Sequence, residues 1–468
     1  MTLLSPASAK TARAQLPPGP RSPFFIQMLR LIANPLAYLD DCTARYGETF
    51  TLRVLGPQSP PVTFFSRPES VQAIFTTLSD RFEYGKVTQV FLPLVGPESL
   101  IMQQGDRHRR QRKMLMPALH GEQLLDYGTL IRQIAAEAVA DWQPGQVLQI
   151  RREMGEISLQ VILRVVFGLE PGPRYEALRA LLAGLLEAIT SELYSVQFFL
   201  PPLQQNLGAW SPWGKFEAQR RRIDELIYEE IAERRQSEDQ APDPSTGKDV
   251  LSLLMAIEDE AGQGLSDQEL RDQLMTLLLL GHETTASGLT WAFYWLTQYP
   301  EVEVELRRSL QALRGQDAIA TAQDPYLTAV CQESLRINPI ALISQPRRVK
   351  QTLELEGYRF EPGSVLIPCI YTSHRRADTY PEPLRFNPDR FLAQKTGQKF
   401  DAAQYFPFGG GSRSCIGMAL SMYEMKLILA EVMQRHRLTL QPGGSPVRPQ
   451  RRGITFVPSE NFRLKVVA

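Results

Sequence analysis

The stretch from Ser266 to Leu296 limits what this chain can fold into more than any other. Ser266-Asp-Gln-Glu269 is a capping box, in which a Ser side chain and a Glu three residues on each satisfy a free N–H at a helix start. Apolar residues then run from Leu274 to Leu280 and on to Leu296, and Pro300 stops the pattern. At 1.5 Å per residue such a helix is roughly 45 Å long, enough to cross a whole molecule, and it predicts a mainly helical body built around it. Its centre, Leu280-Gly-His-Glu-Thr-Thr285, does not fit an apolar helix. Gly costs about 1 kcal/mol there relative to Ala, and a Thr hydroxyl can bond the carbonyl four residues back and loosen the turn. Core packing does not explain Glu283 at such a place; a local widening beside a reactive ligand does. Gly281-His-Glu begins like a zinc-protease helix, but Ala286 stands where the second His is needed, which excludes zinc hydrolysis.

The second constraint is Phe406-Pro-Phe-Gly-Gly-Gly-Ser-Arg-Ser-Cys-Ile-Gly417. After Ile416, apolar residues at Ala419, Leu420, Tyr423, Leu427, Ile428 and Ala430 recur at helical spacing. Cys415 is therefore expected at a helix N-terminus, where unpaired N–H groups favour negative charge and lower a thiol pKa. Gly409, Gly410, Gly411 and Gly417 remove bulk around the sulfur, so that backbone can lie against a flat object. A lone cysteine is more often a small buried hydrophobe. The surrounding glycines and Arg413 favour instead a thiolate ligand to a metal in a large planar cofactor.

Phe408-x-x-Gly411-x-Arg413-x-Cys415-x-Gly417 resembles, position by position, the haem-binding loop of the cytochrome P450 monooxygenases. The resemblance implies haem b with iron on an axial Cys415 thiolate, and contacts from Phe408, Gly409 and Arg413. Other segments resemble the same family in the same order. Gly105 to Lys113 is the densest basic run; alone it reads as a solvated helix face, but His108 and Arg112 share one side of a helix and can hold a carboxylate. Their spacing resembles the family's propionate-binding helix. Arg347 is a further propionate candidate, with Arg348 and His374 as rivals. Leu280-Gly-His-Glu-Thr-Thr285 resembles the oxygen-activating segment, which makes Glu283 and Thr284 the expected catalytic acid and alcohol. Reducing dioxygen with cleavage to water needs two protons and an ordered donor. Leu280 departs from the pattern, being larger than the family's usual Ala or Gly, and should narrow the pocket. Glu333-x-x-Arg336 alone is an ordinary helix ion pair; with Arg390 of Phe386-Asn-Pro-Asp-Arg-Phe391 it resembles the family's structural triad, Asp389 replacing the usual Glu.

Composition then sets the limits. With 43% hydrophobic and 22% charged residues, and 51 Lys+Arg against 51 Asp+Glu, nothing points to nucleic acid. Cys42, Cys331, Cys369 and Cys415 are scattered, so neither a disulfide framework nor a zinc cage is indicated. No apolar run near the start reaches membrane-span length, so a soluble, cytoplasmic protein without membrane anchor, and a monomer, is expected. Residues 1–20 read as a Pro-rich lead and 21–468 as one haem domain: mainly α with a small β-rich part, the P450 fold with a long central helix over a haem. Phe50 to Val54 and Val62 to Phe65 predict a hairpin, Ile157 to Phe167 a core helix, and Glu233 to Asp249 an exposed loop. Leu181 to Gly214, apolar yet broken by Pro and Gly, resembles the access lid and can touch a membrane surface transiently.

The expected function is insertion of one oxygen atom from O2 into an apolar substrate. A fatty acid or alkane comes first and a terpenoid or steroid-like molecule second; Leu280, Phe91 and Met102 line the expected pocket. No flavodoxin-like segment remains, so electrons should come from an external ferredoxin or flavodoxin with its reductase, received by Arg109, Arg110, Lys113 and Arg435. The rival readings are a haem-thiolate peroxygenase or isomerase, which needs no external electrons, and a sensor or carrier without turnover.

Overall fold

The computed structural model describes residues 16–54, 56, 58–84, 88–191, 194, 196–198, 201–238, 249–393, 397, 404–443, 446–453 and 455–467. The chain is mainly helical with small sheets and divides into two compact units. The smaller comprises Met1–Tyr84, Ile343–Thr379 and Gly409–Ser414; the larger comprises Gly85–Leu342, Tyr380–Phe408 and Cys415–Ala468.

The smaller unit is built on a five-stranded sheet with Thr49–Leu52, Val62–Phe65, Val365–Pro368, Arg347–Val349 and Phe82–Glu83 side by side in that order. The expected hairpin is present, antiparallel from Thr49↔Phe65 to Leu52↔Val62, and its second strand runs parallel to Val365–Pro368. Every residue of both hairpin strands is buried, so alternation understated how far the sheet is covered. Helices Phe24–Ala33 and Pro35–Tyr46 precede it; the Asn34 side chain caps the second, and Pro35 begins it, where a missing N–H costs nothing. The Pro-rich lead is pinned against the first strand: Thr51 N–H donates to Pro18 O at 2.9 Å, and a Cβ on Gly19 would lie 1.9 Å from Thr51 O.

In the larger unit the central helix is Asp267–Gln298, 32 residues, and it carries the capping box between Ser266 and Glu269. It packs against helices Ile150–Val161, Pro325–Ile337 and Met418–Arg435, and Trp291 Nε1 donates to Phe456 O at 2.8 Å. The expected widening at Gly281–Thr285 is absent, because the helix is continuous there. The Thr284 hydroxyl donates to Leu280 O at 2.7 Å and Gly281 O at 3.2 Å, adding to the backbone ladder without displacing it. A wider, π-helical turn lies instead in the neighbouring segment, at Ile162–Val166, so Ile157 to Phe167 is not one regular helix.

Two boundaries also moved. Helix Pro173–Thr190 runs well into the apolar lid stretch, and between it and helix Pro212–Glu238 lie short 3-10 helices at Val196–Phe198, Pro201–Leu203 and Gly208–Trp210. That second helix extends through Glu233 to Glu238, where a loop was expected; residues 239–248 of that loop lie outside the described residues. Among the described residues no helix is long and apolar enough to cross a membrane.

Candidate active site

Cys415 N–H donates to Phe408 O at 2.9 Å, closing the glycine loop onto itself. Gly409 and Gly411 have φ of 69° and 67°, the left-handed region where a side chain is strained. The glycines do not all act as the sequence suggested. A Cβ on Gly410 would lie 2.4 Å from the Phe75 ring, and one on Gly411 would lie 1.9 Å from Phe75 O. Those two make room for Phe75 within the smaller unit. Gly417 is the one beside Cys415 with open space, no atom coming within 4 Å of its Cβ position.

The helix after the loop starts at Met418 with Gly417 as its cap, so Cys415 precedes it by nearly a turn. Gly417 N–H donates to the sulfur and Arg112 lies close enough to favour its negative charge, yet the thiol pKa is raised, because burial outweighs both. This reverses the expected lowering. Cys415 nonetheless keeps exposed surface. The two facts are compatible: protein mass surrounds the sulfur and lowers the local dielectric, while one side of it stays accessible.

The cationic side chains fall into two sets. In the larger unit, helix Gly105–Leu119 buries His108 and half-buries Arg112 one turn on. Burial lowers the Arg112 pKa, opposed by the charge of Cys415. In the smaller unit, Arg347 and Arg413 stack on the same ring, that of Tyr84, at 4.9 and 4.4 Å from its centroid. Arg347 is fully buried, and its other contacts are the Gln345 carbonyl and the Phe75 ring. Its Nε has no hydrogen-bond partner, and burial lowers its pKa. A buried guanidinium without a carboxylate calls for an anion. That absence of a carboxylate holds among the described residues; of the rivals of Arg347, Arg348 pairs with Glu83 and His374 is fully buried.

In the middle of the central helix, between Leu270 and Phe293, Leu277, Leu280, Gly281 and Thr284 keep accessible surface while the rest is buried. Their spacing places them on one face. Thr285 Oγ1 lies 3.0 Å from Ser421 Oγ, which ties this stretch to the first turn after Cys415. Glu283 points elsewhere: it is buried between Arg151 at 3.6 Å and Arg452 at 3.2 Å. Neither Glu283 Oε1 nor Arg452 Nε finds a hydrogen-bond partner there. His282 Nε2 contacts Gly155 O at 2.9 Å. Phe91 and Met102 are half-buried against the core of this unit, as is Phe408.

The structure also brings Glu333, Arg336 and Arg390 together. Glu333 accepts from Arg336 at 2.6 and 2.9 Å and from Arg390 Nε at 3.0 Å, and from Asn387 N–H at 2.9 Å. Sequence reasoning missed Arg151 and Arg452, distant in the chain from Glu283 and with no local signal. It also missed Glu424, buried on helix Met418–Arg435, with no hydrogen-bond partner at Oε1 and pushed up to about 8 by burial. Glu424 did leave a sign: it is an acid among the apolar positions Leu420, Tyr423, Leu427 and Ile428.

These features, a cysteine at a glycine loop before a helix and a long helix with a polar centre, are those of a haem-thiolate protein. The cytochrome P450 family matches residues 16–466. A Mycobacterium tuberculosis protein provisionally named cytochrome P450 135B1 is 34% identical over 458 residues, covering 98% of this chain and 93% of its own. Another from that organism, provisionally named cytochrome P450 135A1, is 32% identical over 98% of this chain and 97% of its own. Among solved structures, retinoic acid-bound cyanobacterial CYP120A1 is similar with a TM-score of 0.80 and 25% identity, over 97% of this chain and 99% of that one. The chain belongs to the cytochrome P450 family, whose members are monooxygenases that hold haem iron through a cysteine thiolate.

Proposed function

We propose that this protein inserts one atom of O2 into an elongated apolar substrate, with Cys415 as the iron ligand and Thr284 and Glu283 managing protons. The observation that carries the reading is the pairing of an accessible Cys415 with the accessible face of the central helix, joined through Thr285 and Ser421. The residues fit a haem: a thiol with one open side, and cationic side chains, Arg347 lacking an acidic partner among the described residues. His108 and Arg112 would hold propionates, and Arg347 and Arg413 are proposed for the same role on their chemistry and their place in the family motifs. Phe408 and Gly409 would contact the ring.

When bound, the haem supplies oxygen activation, and the thiolate's electron density favours O–O cleavage. The chain's own residues do the rest. Thr284 presents a hydroxyl on the accessible face, already oriented by the carbonyls of Leu280 and Gly281. It is placed to donate a proton and to be recharged. Glu283, with charge contacts but no hydrogen bond at Oε1, is placed to exchange partners as a proton passes. Leu280 crowds the face that the substrate would approach.

A fatty acid or alkane remains our first choice of substrate, supported by the apolar character of Leu280, Phe91 and Met102. A terpenoid acid is the second, favoured by the structural relative's retinoic acid. Electrons would come from a ferredoxin or flavodoxin with its reductase. Of the basic residues considered for docking, Arg110 is engaged with Asp259 and Glu269, and Arg435 with Glu431. Arg109 and Lys113 are the most exposed, pairing among the described residues with the exposed Asp106 and Glu260.

Cys415→His should abolish the strongly red-shifted Soret band of the reduced carbon monoxide complex. A wild-type protein that never shows this band would overturn the assignment. Screening fatty acids, alkanes and terpenoid acids for displacement of the resting Soret band would then choose among substrates.

A further inference from the structure

Helix Phe24–Ala33 is apolar on both sides. The one residue it fully buries is its glutamine: Gln27 is 0% exposed, donates to Pro20 O at 3.1 Å and Ser22 O at 2.6 Å, and accepts from Arg53 N–H at 2.8 Å. Phe24, Met28 and Leu31 are half-buried on that side, while a second set of large apolar side chains points outward, with Phe25 49%, Leu29 58% and Ile32 52% exposed, and Ile26 beside them. At about 100° per residue, Ile32, Phe25, Leu29, Ala33 and Ile26 form one continuous arc, on the side away from Gln27. A helix that only packed against its own unit would need no second apolar face. The three Gln27 hydrogen bonds and the pinned lead at Pro18 and Gly19 fix this orientation, so the arc is presented on a rigid support.

Charge identifies what the arc fits. Residues 1–39 contain Lys10, Arg13, Arg21 and Arg30 and no Asp or Glu, in a chain whose net charge is zero. Arg30, at the margin of the arc, is mostly exposed; it leans over the Tyr38 ring and reaches Asp41 only at 4.0 Å. Outward apolar side chains in a segment, residues 21–39, whose charged residues are the exposed Arg21 and Arg30 match a surface that is apolar beneath and anionic on top. We infer that helix Phe24–Ala33 docks this protein onto an anionic lipid bilayer surface, with Phe25, Leu29 and Ile32 entering the headgroup region. An apolar substrate would partition into the same layer. In the larger unit, Leu203, Leu207 and Trp210 are also exposed, Trp210 by 95%.

The experiment is flotation of the full-length, haem-loaded protein with vesicles of phosphatidylcholine alone or with added phosphatidylglycerol. Wild type should bind the anionic vesicles and be released by salt. Phe25→Asp with Leu29→Asp should weaken binding about tenfold or more, while the reduced carbon monoxide band is unchanged. Phe25→Trp should retain binding and show a blue shift of its emission on the anionic vesicles. Trp210→Ala should leave at least part of the binding in place. Four results would overturn the inference. One is a wild type that floats with neither vesicle; another is a double variant that binds as well as wild type. The third is a self-associating wild type that ignores vesicles and is made monomeric by the same substitutions, which assigns the arc to a second copy. The last is binding seen only after removal of residues 1–15, which assigns the arc to that segment.

Discussion

Two buried glutamates in the larger unit are each held between two arginines, and their geometries differ. Glu333 accepts hydrogen bonds from Arg336, Arg390 and the Asn387 N–H, at 2.6 to 3.0 Å. Arg336 in turn donates to Pro383 O at 2.9 Å and lies over the Tyr380 ring. Glu283 has the same charge balance, but Arg452 and Arg151 stand at 3.2 and 3.6 Å without hydrogen-bond geometry at Oε1. Arg452 also reaches toward Glu460, mostly exposed, at 4.0 Å. The first arrangement is a tight clamp, in which both carboxylate oxygens accept from arginine. The second neutralises charge while leaving bonding capacity free, which suits a group that must exchange partners.

Glu333→Ala should be the most damaging change away from the cysteine. It leaves Arg336 buried and unpaired, and a loss of about 3–5 kcal/mol is expected in denaturant unfolding of the holoprotein. A loss below about 1 kcal/mol, the level of an exposed pair, would end the clamp reading. Glu283→Gln should do the opposite: little change in stability, but product formation lower by roughly 100-fold, or about 2.7 kcal/mol in the barrier. Equal losses of stability in the two variants would erase the distinction. Thr284→Ala should leave reductant consumption in place while diverting oxygen to peroxide, so the fraction of electrons found in product is what to measure. An unchanged product yield would remove Thr284 from proton handling.

A third buried acid sharpens the comparison from the side of pH. Glu424 has no arginine, and burial raises its pKa from the usual carboxylate range to about 8. Between the unfolded carboxyl value and about 8, the folded protein holds a proton that the unfolded chain has released. Stability should therefore fall as pH rises through this window, by at most about 1.4 kcal/mol per pH unit, and level off above it. Glu424→Gln should flatten this dependence in thermal melts between pH 6 and roughly 8. A slope identical to wild type would show that Glu424 is not the group responsible.

How legible each acid was follows from distance along the chain. Glu333 and Arg336 share a helix face, so half of the clamp was written locally; Arg390 came through its resemblance to a family segment. Glu283 stood out as an acid inside an apolar helix, but Arg151 and Arg452 carry no pattern that connects them to it. Glu424 was visible in principle as an acid in an apolar stripe. The glycine loop was read correctly as a constraint and partly wrongly in its cause, since Phe75, far away in sequence, explains Gly410 and Gly411. Cys415 shows the same limit: local N–H groups argued for a lowered thiol pKa, and burial by distant residues raised it.

The sequence by itself determined the capped central helix, the glycine loop ahead of the next helix, the Glu333–Arg336 spacing and, through these motifs, the family. All of them rest on hydrogen bonds and side-chain periodicity within a few residues, which no distant packing can rewrite. Tertiary structure decided which way each of these elements faces. It left Leu277, Leu280, Gly281 and Thr284 accessible, turned Glu283 toward two arginines, and rotated helix Phe24–Ala33 so that Gln27 points in and Phe25 out. Burial, desolvation and charge pairing depend on what other parts of the chain bring to the same place, and local pattern carries no record of that.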